Sequence, residues 1–181
     1  MSLSDVKFIP VQPKFEDSRG TYQVVYNTTV LPEGLHYSQR RMIPFAQESE
    51  VFSSAGVLRG LHYQEKIPQG KLIRVLYGTI YDTAVDLRSY SPDFGKYVSY
   101  LLGTGESLWI PPGFAHGYST LTNSVIYYKV TEPWYEYLDR TINPLDSQLN
   151  IPWKFPDGVT APILSEKDRN GLPFSPNKKY Y

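Results

Sequence analysis

The sequence predicts an all-β fold, an antiparallel sandwich or barrel of short strands, on three observations. Its 181 residues include 16 tyrosines and 15 prolines, a composition that favours strands and turns over helices. Ala and Lys almost never fall in helical spacing. Short β-rich runs recur about every ten residues, separated by Gly, Pro, Asp and Ser.

Taken in order, Phe8 to Pro13 is an extended piece bounded by prolines, suited to an edge strand or arm. Phe15 to Gly20 carries the Asp, Ser and Gly of a tight turn, and Thr21 to Tyr26 is a strand. Residues 31–40 form a loop or a brief helical turn, and Arg41 to Ala46 is a further strand candidate. Ser53 to Gly56 turns the chain into Val57 to Gln64. A polar loop then leads to a strand at Lys71 to Tyr77, which Gly78 turns into a strand at Thr79 to Leu87. Asp82 and Asp86 lie inside that apolar strand, where a carboxylate must be paired or exposed. Lys96 to Leu102, Ser107 to Ile110, Gly117 to Leu121 and Ser124 to Thr131 complete the strands. From residue 132 to 181 sustained periodicity ends, and an aromatic and then Pro, Asp and Asn-rich segment is expected to wrap over the sandwich. Ser165 is a helix cap, with Asp168 three residues on as the acid of a capping box. One domain, 1–181, is expected from the length.

The charges exclude some function classes. Lys plus Arg and Asp plus Glu are 18 each, so no broad field draws nucleic acid or an anionic membrane, and an anion would be held by a few local cations. No cysteine is present, which removes disulfides and thiolate ligands. The first residues lack a basic-then-apolar signal pattern and no apolar run reaches membrane-spanning length, so a soluble cytoplasmic protein is expected.

The segment Val57-Leu58-Arg59-Gly60-Leu61-His62-Tyr63-Gln64 stands apart. Strand alternation puts Leu58, Gly60 and His62 on one side and Arg59, Leu61 and Tyr63 on the other, with Gly60 admitting close backbone approach. A lone strand histidine is ordinarily a satisfied core residue. A second glycine-framed histidine, His116 in Pro111-Pro112-Gly113-Phe114-Ala115-His116-Gly117, asks for a joint explanation.

Gly56 and His62, followed by Gly105, Pro111, Gly113 and His116, resemble the two motifs of the cupin jelly roll, a double-stranded β-helix with short peripheral helices. Gln64 stands where a metal-binding cupin carries its second histidine, and only His36 remains besides His62 and His116, so no metal site and no cofactor are expected.

The blocks Phe15 to Gly20, Val57 to Gln64, Gly70 to Arg74, Asp82 to Arg88, Ser91 to Gly95, Leu108 to Gly117, Tyr128 to Thr131 and Leu164 to Asp168 resemble, in order, the dTDP-4-dehydrorhamnose 3,5-epimerase family. The resemblance implies an epimerase of a nucleoside-diphosphate 4-keto-6-deoxy sugar, inverting carbon 3, carbon 5 or both through an enolate, in deoxysugar biosynthesis. Such chemistry needs a base on one face of the sugar, a cation at the developing oxyanion and an acid on the other face. By that resemblance His62 is the base, Asp168 its orienting carboxylate, Lys71 the cation and Tyr128 the acid. Arg59 and Arg19 would clamp the diphosphate. Phe15, Gln47 and Ser49 would contact base or sugar, and His116 and Asp82 would support the substrate. Glu48, Ser49 and Val24 depart from the family wording on the nucleotide side, which leaves GDP- or CDP-linked sugars open. The same scaffold could also serve a 3,4-ketoisomerase or a non-catalytic sugar-binding cupin. Sugar nucleotide is the expected partner, and a homodimer is expected through the arm at residues 7–13.

Overall fold

The computed structural model describes residues 2–26 and 45–181. The strand candidate at Arg41 to Ala46, except its last two residues, the loop at 31–40 and His36 lie outside the described residues.

Two five-stranded antiparallel sheets face each other. The first has the order β1 (Lys7–Ile9), β9 (Ser107–Ile110), β6 (Lys71–Tyr77), β11 (Ser124–Val130), β4 (Gln47–Ser53). The second runs β12 (Asp139–Thr141), β5 (Leu58–Gln64), β10 (Phe114–Thr120), β7 (Thr79–Asp86), β8 (Tyr97–Gly103). This is the expected jelly roll. A separate hairpin, β2 (Lys14–Asp17) and β3 (Gly20–Gln23), pairs among the described residues only with itself, so Phe15 to Asp17 is strand and the turn narrows to Ser18-Arg19.

The strands at Lys71, Thr79 and Ser107 begin where the sequence puts them, because glycine turns and unbroken β-branched runs mark them. β10 starts three residues before the expected Gly117, which sets His116 inside a ladder rather than in a turn. β4 and β12 have no counterpart among the sequence-based strands. The N-terminal arm pairs antiparallel with β9 of its own chain, Lys7 opposite Trp109, and so forms the end strand of the first sheet, with one of its two edges used.

Ile73, Val75, Leu108, Ile110 and Ile126 of the first sheet pack between the layers against Ile80, Ala84, Phe114 and Tyr118 of the second. On the outer side of the second sheet, Leu61, Tyr63, Val85, Leu87 and Ala115 are covered by Ile142, Leu149, Ile151, Phe174 and Tyr180. The C-terminal segment therefore does wrap the sandwich, and it carries the one α-helix among the described residues, α1 (Glu166–Arg169), to the end of β5. Asp86, embedded and fully buried, is paired: Arg88 Nη2 donates to it at 2.6 Å and Arg88 Nη1 reaches Asp5 at 3.0 Å. Among the described residues no helix is long and apolar enough to cross a membrane.

Candidate active site

The site begins with a bulge. Opposite β10, His116 pairs with His62 and Tyr118 with Arg59, so β5 spends one residue more than β10 over the same distance. Gly60 makes this possible: its φ is +104°, and a Cβ there would lie 2.5 Å from the His116 carbonyl oxygen and 2.6 Å from Gly117 Cα. The extra residue cancels the alternation that the sequence suggested. Arg59 and His62 lie on the same side of the sheet as Tyr118 and His116, while Leu61 and Tyr63 turn outward into the second core cluster.

His62 Nε2 lies 2.5 Å from Asp168 Oδ1, and Asp168 is 2% exposed. Ser165 Oγ accepts the Asp168 backbone N–H at 3.0 Å, capping α1. The cap thus uses the backbone of Asp168 and leaves its carboxylate to the histidine. Burial alone would raise the Asp168 pKa, but hydrogen bonding and charge from His62, with help from Ser165 and the Gly60 amide, hold it below the usual carboxylate value. An ionised Asp168 accepts the proton on Nε2 and leaves the lone pair on Nδ1.

A second histidine–carboxylate pair lies deeper, with His116 Nε2 2.9 Å from Asp82 Oδ2 and both residues buried. Burial pushes the His116 pKa down despite Asp82, so this imidazole is neutral. Among the described residues Asp82 Oδ1 has no hydrogen-bond partner, and it is buried.

The facing sheet supplies Lys71 and Tyr128. On β6 and β11, Lys71 pairs with Val130 and Tyr128 with Ile73, and the Tyr128 ring meets the His116 ring edge-on at 6.1 Å across the gap between the sheets. Lys71 Nζ donates to the His62 carbonyl at 3.4 Å. Desolvation lowers the Lys71 pKa to about 8, against the pull of Asp139 and Asp82. Desolvation, with the neighbouring Tyr118 and Asp82, raises Tyr128 well above 10.0, which keeps its phenol protonated.

Gln47 and Ser49 project from β4 beside Val130 and Tyr128, and the Gln47 amide donates to Ser49 Oγ at 3.2 Å. Glu48 points to the other face, held by Lys129 at 2.5 Å and by the Tyr127 hydroxyl. Its departure from the family wording therefore does not enter the pocket of its own chain. Phe15 and Arg19 are not brought to this constellation: they sit on the free hairpin, where Arg19 donates to Asp17 at 2.6 Å with an 88% exposed side chain. Gln64 is buried and fully used by backbone, donating to Ile67 O and Pro133 O and accepting from Tyr135 N–H.

Four neighbours of the site are not among the residues that the sequence singles out. Trp134 donates its backbone N–H to Gln47 Oε1 at 2.9 Å and its indole N–H to Asp139 Oδ2 at 2.9 Å, with the residue half exposed. Lys167, next to Asp168 in the chain, pairs with the same Asp139 oxygen. Ser53 and Tyr118 are buried and bonded to each other. Adjacency to Asp168 is the available signal for Lys167; aromatic and serine residues on strands give none.

The family model for dTDP-4-dehydrorhamnose 3,5-epimerase matches residues 1–175. The chain belongs to the dTDP-4-dehydrorhamnose 3,5-epimerase family. Among curated members of that family, one from Pseudomonas aeruginosa is 41% identical over 179 residues, covering 97% of this chain and 94% of the relative. The crystal structure of the Elizabethkingia anophelis epimerase superposes with a TM-score of 0.83 at 36% identity, covering 99% of this chain and 96% of that one. A Legionella pneumophila epimerase solved in complex with dTDP-4-keto-L-rhamnose gives 0.82 at 35% identity, covering 96% and 89%. The match to the family model includes the N-terminal hairpin and ends at residue 175.

Proposed function

We propose that the chain, acting as one epimerase domain, inverts carbons 3 and 5 of a dTDP-linked 4-keto-6-deoxyhexose. The observation that carries this reading is the opposition of two sheets. His62, with its free Nδ1, stands on one wall and the protonated Tyr128 on the other, and Lys71 lies near both. A flat sugar ring between them meets a base on one face and an acid on the other.

His62 takes the acidic hydrogen beside the ketone and becomes imidazolium, stabilised by Asp168. The bond electrons move into the ring, and negative charge gathers on the carbon-4 oxygen, where the Lys71 ammonium meets it. Tyr128 gives its phenolic proton to the carbon from the opposite face. Proton exchange with solvent resets both groups before the second carbon reacts. Arg59 holds the diphosphate, and Gln47, Ser49 and the exposed Trp134 indole hold sugar and base, a flat ring being suited to stacking a nucleobase. The names of the relatives support thymidine as the carrier and inversion at both carbons. No metal is needed in this scheme, which the engagement of Gln64 by three backbone groups supports.

The working unit is a homodimer of a soluble cytoplasmic enzyme. Phe15 and Tyr22 are 64% and 66% exposed on a hairpin that, among the described residues, pairs with no other strand, and an isolated two-stranded hairpin is marginal in water. A second copy gives it a surface and brings Arg19 to the partner's site.

The test is turnover of dTDP-4-keto-6-deoxyglucose in deuterated water with chelator present. Deuterium at carbons 3 and 5 with inverted stereochemistry is expected. Migration of the carbonyl would make the protein a ketoisomerase, and binding without exchange would leave a sugar-binding cupin.

A further inference from the structure

The strand end that carries His62 is gripped from behind. Among the described residues the β5–β10 ladder ends at the His62–His116 pair, so Tyr63 and Gln64 pair only with β12, a three-residue strand at the edge of the sheet. So short an edge holds β5 by few ladder bonds, and fraying there would carry His62 with it. Gln64 is fastened to loop backbone. Tyr63, 3% exposed on the outer face, is fastened by one short piece of the tail. Lys178 Nζ donates to Tyr63 Oη at 3.2 Å, and the rings of Tyr180 and Tyr181 meet the Tyr63 ring edge-on, with centroids at 5.5 Å and 5.9 Å. The Lys178 ammonium also lies 5.1 Å from the Tyr180 ring centroid, within cation–π range. That piece of tail is itself closed: the Tyr180 ring stacks on Phe174 at 5.8 Å, and Tyr180 Oη accepts the Ser175 N–H at 2.8 Å. The family match ends at residue 175, so Lys178, Tyr180 and Tyr181 lie outside it.

We propose that Lys178, Tyr180 and Tyr181 are positioning residues for the base: gripping Tyr63, they hold the end of β5 so that the preceding side chain, His62, stays in its hydrogen bond with Asp168. This rests on His62 being the base. Successive strand residues point to opposite faces of one backbone, so a Tyr63 ring that cannot roll fixes the direction in which His62 points. The same tail sets both partners of the pair. It carries Asp168 on α1, ties to β12 where Leu172 N–H donates to Thr141 O at 3.1 Å and Asn143 N–H to Leu172 O at 2.8 Å, and then closes on Tyr63. The contribution is geometric, and no proton passes through the tail. Geometry is enough, because a misplacement of about 1 Å can cost roughly a hundredfold in rate.

The experiment compares Tyr180→Ala, Tyr181→Ala and Lys178→Met with Tyr180→Phe and His62→Ala, using protein with isotopically labelled histidine. Deuterium uptake and inversion of dTDP-4-keto-6-deoxyglucose are measured beside the proton resonance of the His62 Nε2–H, identified by its absence from His62→Ala. That resonance moves to higher field as the bond to Asp168 lengthens. In the three disruptive variants it is expected to move so, while the His116 resonance stays in place. Uptake and inversion should fall together, with kcat down roughly ten- to hundredfold and KM within about twofold. Tyr180→Phe, which keeps the ring against Tyr63, should retain both the resonance and the rate. Lys178 and Tyr181 are less buried than Tyr180, so their variants decide the matter if Tyr180→Ala does not fold. A lower urea midpoint with the His62 resonance and kcat unmoved marks a merely structural segment and overturns the proposal alone. Undiminished uptake in His62→Ala overturns the base assignment and the proposal with it.

Discussion

Asp168 serves His62 and its own helix at once: its carboxylate meets His62 Nε2 at 2.5 Å while its backbone N–H fills the Ser165 cap at 3.0 Å. The tail is thereby fixed to β5 at the atom that sets the His62 tautomer. In His62→Ala, solvent exchange and inversion should both fall by roughly 10²–10⁴-fold, the worth of a positioned base. Asp168→Asn keeps the cap and the packing but removes the charge that stabilises imidazolium. It should lower kcat well beyond any change in KM, with the thermal midpoint nearly unmoved; mass-spectrometric deuterium uptake and calorimetry check the two halves. A large loss of stability in Asp168→Asn would reassign the carboxylate to structure.

Lys71 makes a pH prediction with a definite sign. Its folded pKa, lowered by desolvation to about 8 from 10.5, leaves the ammonium charged at neutral pH and discharges it on mild alkalinity. If Lys71 is the cation that meets the enolate oxygen, the profile of kcat/KM should lose activity above about pH 8, where the ammonium disappears. Lys71→Met should be slow at every pH and lack that limb. Linkage gives an independent measurement. Between about 8 and 10.5 the unfolded chain holds a proton at this residue that the folded chain lacks, so Lys71 makes stability rise with pH across that window. Urea unfolding of wild type and Lys71→Met at both ends of the window should show that rise only in the wild type.

Legibility follows the physics of each segment. Lys71–Tyr77 and Ser124–Val130 are plain because an apolar run between turn residues has few other uses. β4 escapes the sequence because Gln47 and Ser49, on the face they share with Tyr128 and Val130, are polar and hydrogen-bond each other, which breaks the apolar alternation of a strand. β12 has three residues and no pattern to show. The bulge is hidden because alternation assumes two residues per step on both strands, although a glycine inside a strand is its usual mark. Asp168 offers a cap and a partnership with His62 as rivals, and the backbone and side chain of one residue divide them. Arg19 carries no sign that its own chain would leave it in solvent.

Gly60 should be among the least replaceable residues. In Gly60→Ala a methyl must enter 2.5 Å from the His116 carbonyl oxygen while the backbone keeps φ at +104°. The conformation costs about 1–3 kcal/mol, and the overpacked contact adds a comparable amount, roughly 1–3 kcal/mol. Gly158→Ala is the matched control, since φ there is +81° with nothing within 4 Å of the added carbon. Urea midpoints should fall far more in Gly60→Ala than in Gly158→Ala, with activity lost only in the former. Equal shifts would mean that the close approach of β5 and β10 relaxes freely.

The free hairpin leads to a prediction about partners. If Arg19 works in the partner's site, Arg19→Ala homodimers lack the clamp and His62→Ala homodimers lack the base, so each is inactive alone. Unfolding and refolding an equal mixture makes half the dimers hybrid. In a hybrid, the site built on the Arg19→Ala chain keeps its own His62 and receives Arg19 from the other chain. One site in two of these hybrids is then intact, and about a quarter of wild-type activity should return, as closed twofold symmetry requires. Phe15→Ser, which strips apolar surface from the 64% exposed face of the hairpin, should weaken the dimer in sedimentation and lower activity in proportion. No recovery in the mixture, with dimers confirmed, would mean that Arg19 does not act in the partner's site, whereas an Arg19→Ala homodimer with wild-type activity would leave it paired with Asp17 and outside catalysis altogether.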